Sequence, residues 1–312
     1  MLDLPFVAFA ETPGFETQPC WRKSHRTRVA DNPDPQADAL PVTSSEPVML
    51  PEKQQLLFQE VLLTLGEKHV PFVVAGAFAL QEHTGICRWT KDLDIFLTAE
   101  NAPLALKHLA SRGFDCEVRD PVWLYKAHRD DFFVDLITGM SNGAIIVDGS
   151  WIQRGKPAIV YGISTRVFAP EELIASKLFV IRRERFDGAD IAHVVYGTGG
   201  NLDWERLLAL AGEHWELLLW ALILFRYVYP GQTHYVPPAV WNTLLERFSK
   251  EIANPNLNAK FRGSLVDDRM FAIDVNDWGL ENVLEEYRSN RLSHVPPASG
   301  RVETEFSHND RK

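Results

Sequence analysis

The stretch TKDLDIFL, residues 90–97, places two carboxylates at the start of an apolar run. Side chains two positions apart in a β-strand point to the same face, so Asp92 and Asp94 project together. Two like charges this close repel each other and raise each other's pKa. A divalent cation removes that conflict, and magnesium prefers hard oxygen ligands such as carboxylates. The stretch therefore predicts a strand with a metal site at its beginning.

A third carboxylate, Asp135, lies in a second apolar run, FFVDLIT, residues 132–138. An acid within an apolar strand is costly to bury unless it is paired or bound to a metal. If this strand lies beside DLDIFL, three carboxylates meet at one edge of the sheet. An incidental pair of surface acids is the alternative interpretation, since two aspartates with one residue between them are a weak motif alone.

A glycine turn precedes both acidic strands. In FVVAGAFAL, residues 72–80, a short apolar strand is followed by Gly76 and then by a helical pattern. A helix N-terminus with an exposed backbone at Gly favours phosphate binding, although most strand-to-helix turns also favour Gly. The aspartate pair begins at Asp92, sixteen residues after Gly76, and Asp135 follows Asp94 by forty-one residues.

This order of a glycine turn, two aspartates and a later strand acid resembles the nucleotidyltransferase superfamily of the DNA polymerase β type. The stretches AGAFALQEHTGICRWTKDLDIF and FFVDLIT carry the resemblance, over about residues 70–140. The pattern R-x-T-x-D-L-D, from Arg88 to Asp94, is similar to that of uncharacterised bacterial nucleotidyltransferase-like proteins. It also resembles nucleotidyltransferase toxins of the abortive-infection type.

The resemblance implies transfer of a nucleoside monophosphate from an NTP to an acceptor hydroxyl. Asp92, Asp94 and Asp135 would hold two magnesium ions, and Asp135 would also help to deprotonate the acceptor. The residues implied for nucleotide binding are Gly76, Ala77, Lys91 and Lys177. Ala77 departs from the family pattern, which often has a Ser there to hold the phosphates.

Other functions remain open from the sequence. Ala77 favours a catalytically weak or inactive relative that binds nucleotide or a partner protein, whereas the presence of all three acids disfavours it. Phosphatases and glycosyltransferases with paired aspartates have an apolar strand before the pair, but here RWTK precedes it. The acceptor, whether RNA, protein or small molecule, the identity of the NTP and the oligomeric state are not specified.

Composition divides the chain into four parts. Residues 1–50 and 291–312 have too few spaced apolar residues to offset the entropy of ordering, which predicts a flexible N-terminal arm and a flexible tail. Residues 51–168 alternate strand and helix patterns, and residues 169–290 have helical periodicity. We therefore predict an α+β fold, with a mixed-sheet nucleotidyltransferase domain followed by a helical domain.

The helical part is predicted to begin with one long helix over PEELIASKLFVIRRERF, residues 170–186. Related enzymes, as the resemblance implies, place a lysine of this helix at the triphosphate, and Lys177 is the matching residue. The alternative is a solvated basic face, which is usual for such charge runs. Asp187 and Asp190 could be catalytic aids, or they could cap a helix and pair with the nearby arginines, and we favour this structural role. These arginines are Arg182, Arg183 and Arg185.

Charge and cysteine content narrow the function classes. A net charge of -10 argues against a broad phosphate-binding surface but permits a local basic patch. The three cysteines have no metal-ligand spacing and are expected to be free thiols in a reducing cytoplasm. The most apolar window, LLLWALILF, residues 217–225, is too short to cross a bilayer. We therefore expect a soluble cytoplasmic protein with no membrane segment.

Overall fold

The structure is a computed structural model, and it describes residues 50–88 and 90–295 of the 312-residue chain. The predicted N-terminal arm, apart from its last residue, lies outside the described residues, as does most of the predicted tail. Within the described residues the protein has an α+β fold, as predicted.

A seven-stranded mixed sheet forms the centre of the protein, with strand order β3-β4-β5-β2-β1-β7-β6. Strands β2 and β5 are parallel, and β1 is antiparallel to β2. FVVAG, DLDIFL and FFVDLIT therefore lie in neighbouring strands, and the predicted mixed sheet is confirmed. The strands are β1 (Val73–Val74), β2 (Asp92–Phe96), β3 (Asp115–Asp120), β4 (Leu124–Arg129), β5 (Phe132–Ile137), β6 (Lys156–Val160) and β7 (Ile163–Val167).

The register of β2 and β5 follows from their alternating apolar residues. Leu93 and Ile95 are fully buried in the core, so the intervening Asp94 points to the opposite face of the sheet. Asp94 and Asp135 are direct partners across the β2–β5 pair. The two predicted acidic strands thus bring their carboxylates to the same place, as expected.

Twelve α-helices surround and extend the sheet within the described residues. Those of the first part are α1 (Glu52–Glu67), α2 (Gly76–Thr84), α3 (Ala102–Ala110) and α4 (Gly149–Arg154). Those that follow the sheet are α5 (Pro170–Lys177), α6 (Gly188–Gly197), α7 (Trp204–Ala211), α8 (Trp215–Val228), α9 (Pro238–Ala253), α10 (Gly263–Val266), α11 (Ala272–Asn276) and α12 (Val283–Ser293). The predicted boundary at residue 168 falls between β7 and α5, but one hydrophobic core continues across it. The division into two domains stays a prediction.

The long helix predicted over residues 170–186 is wrong beyond Lys177. After α5 the chain forms a tight hairpin, with a bridge between Ile181 and Phe186. Arg182 and Arg185 exchange backbone hydrogen bonds of 2.8 and 3.2 Å within it. The Asp267 carboxylate also accepts a hydrogen bond from the backbone N–H of Arg183. The bonds across the hairpin, together with the one to Asp267, outweigh the helical spacing of the apolar residues. We call residues 178–187 the basic hairpin.

The predicted flexible tail begins too early, since α12 continues to Ser293. Arg291 is only 2% exposed and donates a 3.0 Å hydrogen bond to the Thr138 carbonyl at the end of β5. On the same helix, Arg288 pairs with Asp120 at 3.1 Å. The composition did not predict these contacts, because polar rather than apolar residues hold α12 against the sheet. The helix α4 and the strand β6 were also not anticipated.

One helical stretch, Trp204–Val228, is long and apolar enough to cross a membrane by length and composition. It is longer than the apolar window in the sequence, because α7 and α8 are joined by a 3₁₀ turn. Within its most apolar window, 44% of the residues are buried in the protein, where Leu218, Leu222 and Phe225 join the core. A core helix of a soluble protein has the same properties, so this stretch is weak evidence for a membrane span.

Candidate active site

Three carboxylates form the centre of the candidate site. One oxygen from each of Asp92, Asp94 and Asp135 lies within 4.8 Å of the others, and all three residues are partly buried. Strand pairing produces this arrangement, because Asp92 and Asp94 share a face of β2 and Asp135 lies opposite Asp94 on β5. The predicted clustering is therefore confirmed, while the catalytic and metal-binding roles of these residues stay predictions.

The glycine turn packs directly against this cluster. Gly76 has a φ of +55°, and a Cβ at this position would overlap the Asp94 carboxylate. The Ala75 N–H also donates a 2.9 Å hydrogen bond to the Asp94 carbonyl. Only glycine therefore fits between β1 and α2. The turn places the N-terminus of α2, with Gly76 and Ala77, on one side of the carboxylates.

The electrostatics of the cluster are unfavourable for three charges. Burial, followed by the neighbouring charges of Asp92 and Asp135, raises the pKa of Asp94 to about 7, against the opposing charges of Arg185 and Lys177. Among the described residues, no donor makes a hydrogen bond to the Asp94 carboxylate. Three neighbouring carboxylates with too little positive charge around them suit a divalent cation, because such a cation prefers hard oxygen ligands and would supply the missing charge.

Lys126 gives the third carboxylate a separate partner. It lies opposite Asp135 on β4, and its ammonium is 2.5 Å from one Asp135 oxygen. The ammonium also lies 4.0 Å from the centre of the Phe133 ring. Burial raises the pKa of Asp135 by more than the Lys126 hydrogen bond lowers it. Lys126 thus engages one Asp135 oxygen, Oδ1, and makes no hydrogen bond to the other.

The carboxylates line a cavity of about 370 Å³. Its walls come from the sheet, from α2 and α5, from the basic hairpin and from the loop that follows β5. Gly76, Ala77 and Lys177 are among the lining residues, whereas Lys91 is exposed and is not among them. Of the residues predicted to bind nucleotide, the structure therefore brings three to the cavity and leaves Lys91 outside.

The ammonium of Lys177 is already paired. It donates hydrogen bonds to Asp187 at 2.7 Å and to Asp190 at 2.8 Å, and all three side chains are 8% exposed. Burial disfavours ionisation of Asp187, but the hydrogen bonds and charges of Arg185 and Lys177 outweigh burial and keep its pKa below the usual value. The two aspartates are therefore paired with cations, as predicted. Asp187 pairs with Arg185 and Asp190 pairs with Arg88, and Lys177 is a partner of both.

Two arginines complete the basic side of the cavity. Arg88 pairs with Asp190 at 2.5 Å, and 42% of its side chain is exposed. Arg185 pairs with Asp187 at 2.9 Å, and 67% of its side chain is exposed. Both line the cavity, and the charge of Arg185 reaches Asp94. Residues 182–185 have the pattern of a helix surface, so Arg185 was not predicted to bind the nucleotide. Arg88 entered only as the first residue of the R-x-T-x-D-L-D pattern.

The sequence also gave no indication of two residues on the other side of the carboxylates. Lys126 lies in an ordinary alternating strand, and Trp123 lies just before it. The structure places Trp123 in the cavity wall and Lys126 on Asp135. Only the pairing of β4 with β5 could have identified them, and a single sequence does not specify that pairing.

A mixed sheet with clustered carboxylates beside a glycine turn is the architecture of a nucleotidyltransferase. Residues 54–208, about half of the chain, match the family model described as "Nucleotidyl transferase of unknown function (DUF2204)". This match confirms the resemblance found in the sequence, and over that range the chain is a member of the nucleotidyltransferase superfamily. The resemblance to abortive-infection toxins stays a prediction.

Comparison with solved structures found distant similarities. The antibiotic-resistance factor ANT(2'')-Ia is 16% identical, with 60% of this chain and 98% of that chain covered and a TM-score of 0.39. A nucleotidyltransferase-like protein from Paracoccidioides brasiliensis is 16% identical, with coverage of 60% and 93% and a TM-score of 0.37. The lincosamide adenylyltransferase LnuA is 15% identical, with coverage of 46% and 96% and a TM-score of 0.33. No curated protein matches the chain.

Proposed function

We propose that this protein transfers a nucleoside monophosphate from an NTP to an acceptor hydroxyl. The observation that carries the proposal is the cluster of Asp92, Asp94 and Asp135 within 4.8 Å, beside the Gly76 turn, in a chain of the nucleotidyltransferase superfamily. A purely structural role does not account for three neighbouring carboxylates, because their mutual repulsion destabilises the bare protein.

The proposed reaction is a phosphoryl-type displacement. The acceptor oxygen forms a bond to the α-phosphorus, the bond from that phosphorus to the bridging oxygen breaks, and pyrophosphate leaves. Magnesium, as two ions held by Asp92, Asp94 and Asp135, would neutralise charge on the attacking and leaving oxygens. The Asp135 oxygen that Lys126 leaves available would accept the acceptor's proton. The backbone at Gly76 and Ala77, at the N-terminus of α2, would hold the phosphates.

Arg185, with Arg88, suits the phosphates better than Lys177 does. The Lys177 ammonium is buried between two carboxylates, whereas the Arg185 guanidinium is exposed in the cavity wall and contributes charge near Asp94. A guanidinium also presents several donors to a phosphate at once. We therefore assign to these two arginines the phosphate contact that the resemblance implied for Lys177.

A second candidate function is nucleotide binding without transfer. It is favoured by Ala77, which provides no hydroxyl for the phosphates at the turn. Such a protein would keep the cavity and the basic residues and would bind a magnesium–nucleotide complex, but it would release no pyrophosphate.

Magnesium with ATP should raise the melting temperature of the protein, and magnesium alone should raise it less. A ligand at one hundred times its dissociation constant stabilises the folded state by about 2.7 kcal/mol, which corresponds to several degrees. Differential scanning fluorimetry with each of four NTPs, with magnesium or with EDTA, measures this effect. Pyrophosphate release in cell extract then separates transfer from binding. The absence of a magnesium-dependent shift with every NTP would contradict both candidate functions.

Replacing Arg185 by glutamine should weaken binding of the magnesium–ATP complex by about ten- to a hundredfold, because a charge-assisted hydrogen bond contributes about 1.5–3 kcal/mol. Arg183→Gln is the matched control, since Arg183 lies on the same hairpin but its side chain does not line the cavity. Isothermal titration of both variants gives the affinities. An equal loss in the two variants would show a general effect of charge and would remove Arg185 from the site.

A further inference from the structure

The carboxylates divide the cavity into two sides. Across the sheet the order is β1, β2, β5 and β4, so the Gly76 turn and Trp123 lie on opposite sides of the triad. The proposed phosphate site, with Gly76 and Arg185, occupies the first side. The second side begins beyond Asp135, and its lining is mostly apolar and aromatic, with one arginine. We call it the tryptophan side; its lining residues are Trp123, Ile137, Met140, Ser141, Arg182 and Leu265.

Trp123 is held rigidly in this wall. Its indole N–H donates a 3.1 Å hydrogen bond to Asp120, and its carbonyl accepts a 2.9 Å bond from the Thr138 N–H. Asp120 is itself fixed by Arg288 of α12 at 3.1 Å. Because the polar edge of the indole is already engaged, the ring offers apolar surface to the cavity. A preformed aromatic wall of this kind favours a planar or apolar ring.

Arg182 supplies the charge on the tryptophan side. Its guanidinium donates a 2.7 Å hydrogen bond to the Ser141 hydroxyl and is otherwise exposed at the cavity wall. Of the nearby acids, Asp120 is paired with Arg288 and Trp123. Asp267 accepts hydrogen bonds from the backbone N–H groups of three residues, and the charge of Arg182 also contributes to lowering its pKa. Beyond the triad, no acid lines this side among the described residues. The tryptophan side therefore favours an anionic group over a cationic one.

We infer that the acceptor is a small aromatic hydroxyl compound that carries an anionic group, with its ring on Trp123 and its anion at Arg182. This inference rests on the proposed function, because only an acceptor needs a hydroxyl close to Asp135. The hydroxyl oxygen attacks the α-phosphorus, its proton passes to Asp135, and pyrophosphate leaves with the electron pair of the broken phosphorus–oxygen bond. An RNA end fits less well, since the tryptophan side has one arginine and an apolar wall.

The test uses two probes that share a ring and a hydroxyl but differ in charge, 4-hydroxyphenylacetate and tyramine. Each is titrated into the full-length protein loaded with magnesium and α,β-methylene ATP, which binds but cannot transfer. We expect 4-hydroxyphenylacetate to bind at least about tenfold more tightly than tyramine. With ATP in place of the analogue, mass spectrometry should detect the adenylylated acid, and pyrophosphate should appear in equal amount.

Variants at Trp123 and Arg182 test the ring contact and the anion contact separately. Trp123→Leu should weaken 4-hydroxyphenylacetate about tenfold, whereas Trp123→Phe should keep most of the binding because the ring remains. Arg182→Gln should remove the preference for the acid over tyramine. The control is Trp278→Leu, which changes a tryptophan that is 68% exposed and is not a lining residue of the cavity. The affinity for the nucleotide analogue should be unchanged in all of these variants.

The outcomes distinguish the inference from the function on which it rests. If the protein does not bind the magnesium–nucleotide analogue, both are wrong. If it binds the analogue but binds the two probes equally or not at all, the inference alone is wrong. A Trp123→Leu variant that weakens the nucleotide analogue instead of the acid would place the base of the NTP on this ring, and would also overturn the inference.

Discussion

Replacing Asp94 by asparagine should lower nucleotide transfer at least a thousandfold while the protein stays folded. Asparagine keeps the size of the side chain and one oxygen ligand, but it removes a unit of negative charge from the cluster with Asp92 and Asp135. Loss of metal-dependent charge neutralisation costs several kcal/mol in the transition state, and about 1.4 kcal/mol corresponds to each factor of ten in rate. Pyrophosphate release by both proteins, at equal concentration and saturating ATP, measures the loss.

The same change should stabilise the metal-free protein at neutral and alkaline pH. Burial, together with Asp92 and Asp135, raises the pKa of Asp94 to about 7 in the folded state, whereas the unfolded value lies near 3.8. The folded protein therefore binds more protons between these two pH values, and its stability falls as pH rises through that range. The asparagine side chain does not titrate, so the variant should be more stable by up to about 4 kcal/mol at pH 8 and by nearly nothing at pH 4.

Urea unfolding in EDTA at pH 4, 6 and 8 tests the pH dependence. Asp115→Asn is the matched control, because Asp115 is an exposed aspartate on β3, and its stability difference should not change with pH. An Asp94→Asn protein that melts well below the wild type at pH 8, with no metal-dependent shift in the wild type, would indicate that these acids are structural. The enzyme hypothesis would then be wrong.

The sequence specified the centre of the site well because strand geometry is simple. Side chains at positions i and i+2 share a face, so Asp92 and Asp94 had to project together. Asp135 in an apolar strand implied a partner or a metal. Gly76 between an apolar strand and a helical pattern implied a turn with a tight approach, and the structure places it against Asp94. Each of these inferences depends on local geometry alone.

The rest of the site depends on contacts between segments far apart in the chain. Lys126 reaches Asp135 only because β4 pairs with β5, and Trp123 is fixed by Asp120 and by Arg288 from α12. Residues 178–187 have helical periodicity, yet they form a hairpin whose two backbone bonds join Arg182 and Arg185 and whose Arg183 N–H is bound by the distant Asp267. Periodicity reports which side chains are apolar, but it does not report where the backbone finds its hydrogen-bond partners.

Lys177 is the residue for which the sequence and the structure lead to different experiments. The resemblance makes it a nucleotide contact, whereas its ammonium lies between the buried carboxylates of Asp187 and Asp190. If the pairing role holds, Lys177→Met leaves the carboxylates of Asp187 and Asp190 without the cation between them. Only Arg185, which pairs with Asp187, and Arg88, which pairs with Asp190, then remain to neutralise them. Removing one partner from a buried ion pair costs about 3–5 kcal/mol. We therefore expect the variant to lose that much stability, with or without nucleotide.

The measurement is urea unfolding of Lys177→Met beside Lys107→Met, which removes an exposed lysine of α3 and should change stability by less than about 0.5 kcal/mol. Adding Asp190→Asn to Lys177→Met should restore part of the loss, because it removes one of the two repelling charges. A contact with the triphosphate would give the opposite pattern: little loss of stability, no rescue by Asp190→Asn, and a large loss of affinity for the magnesium–ATP complex. That pattern would return Lys177 to the phosphate site and make Arg185 a partner of Asp187 alone, so this pair of variants decides which cation faces the nucleotide.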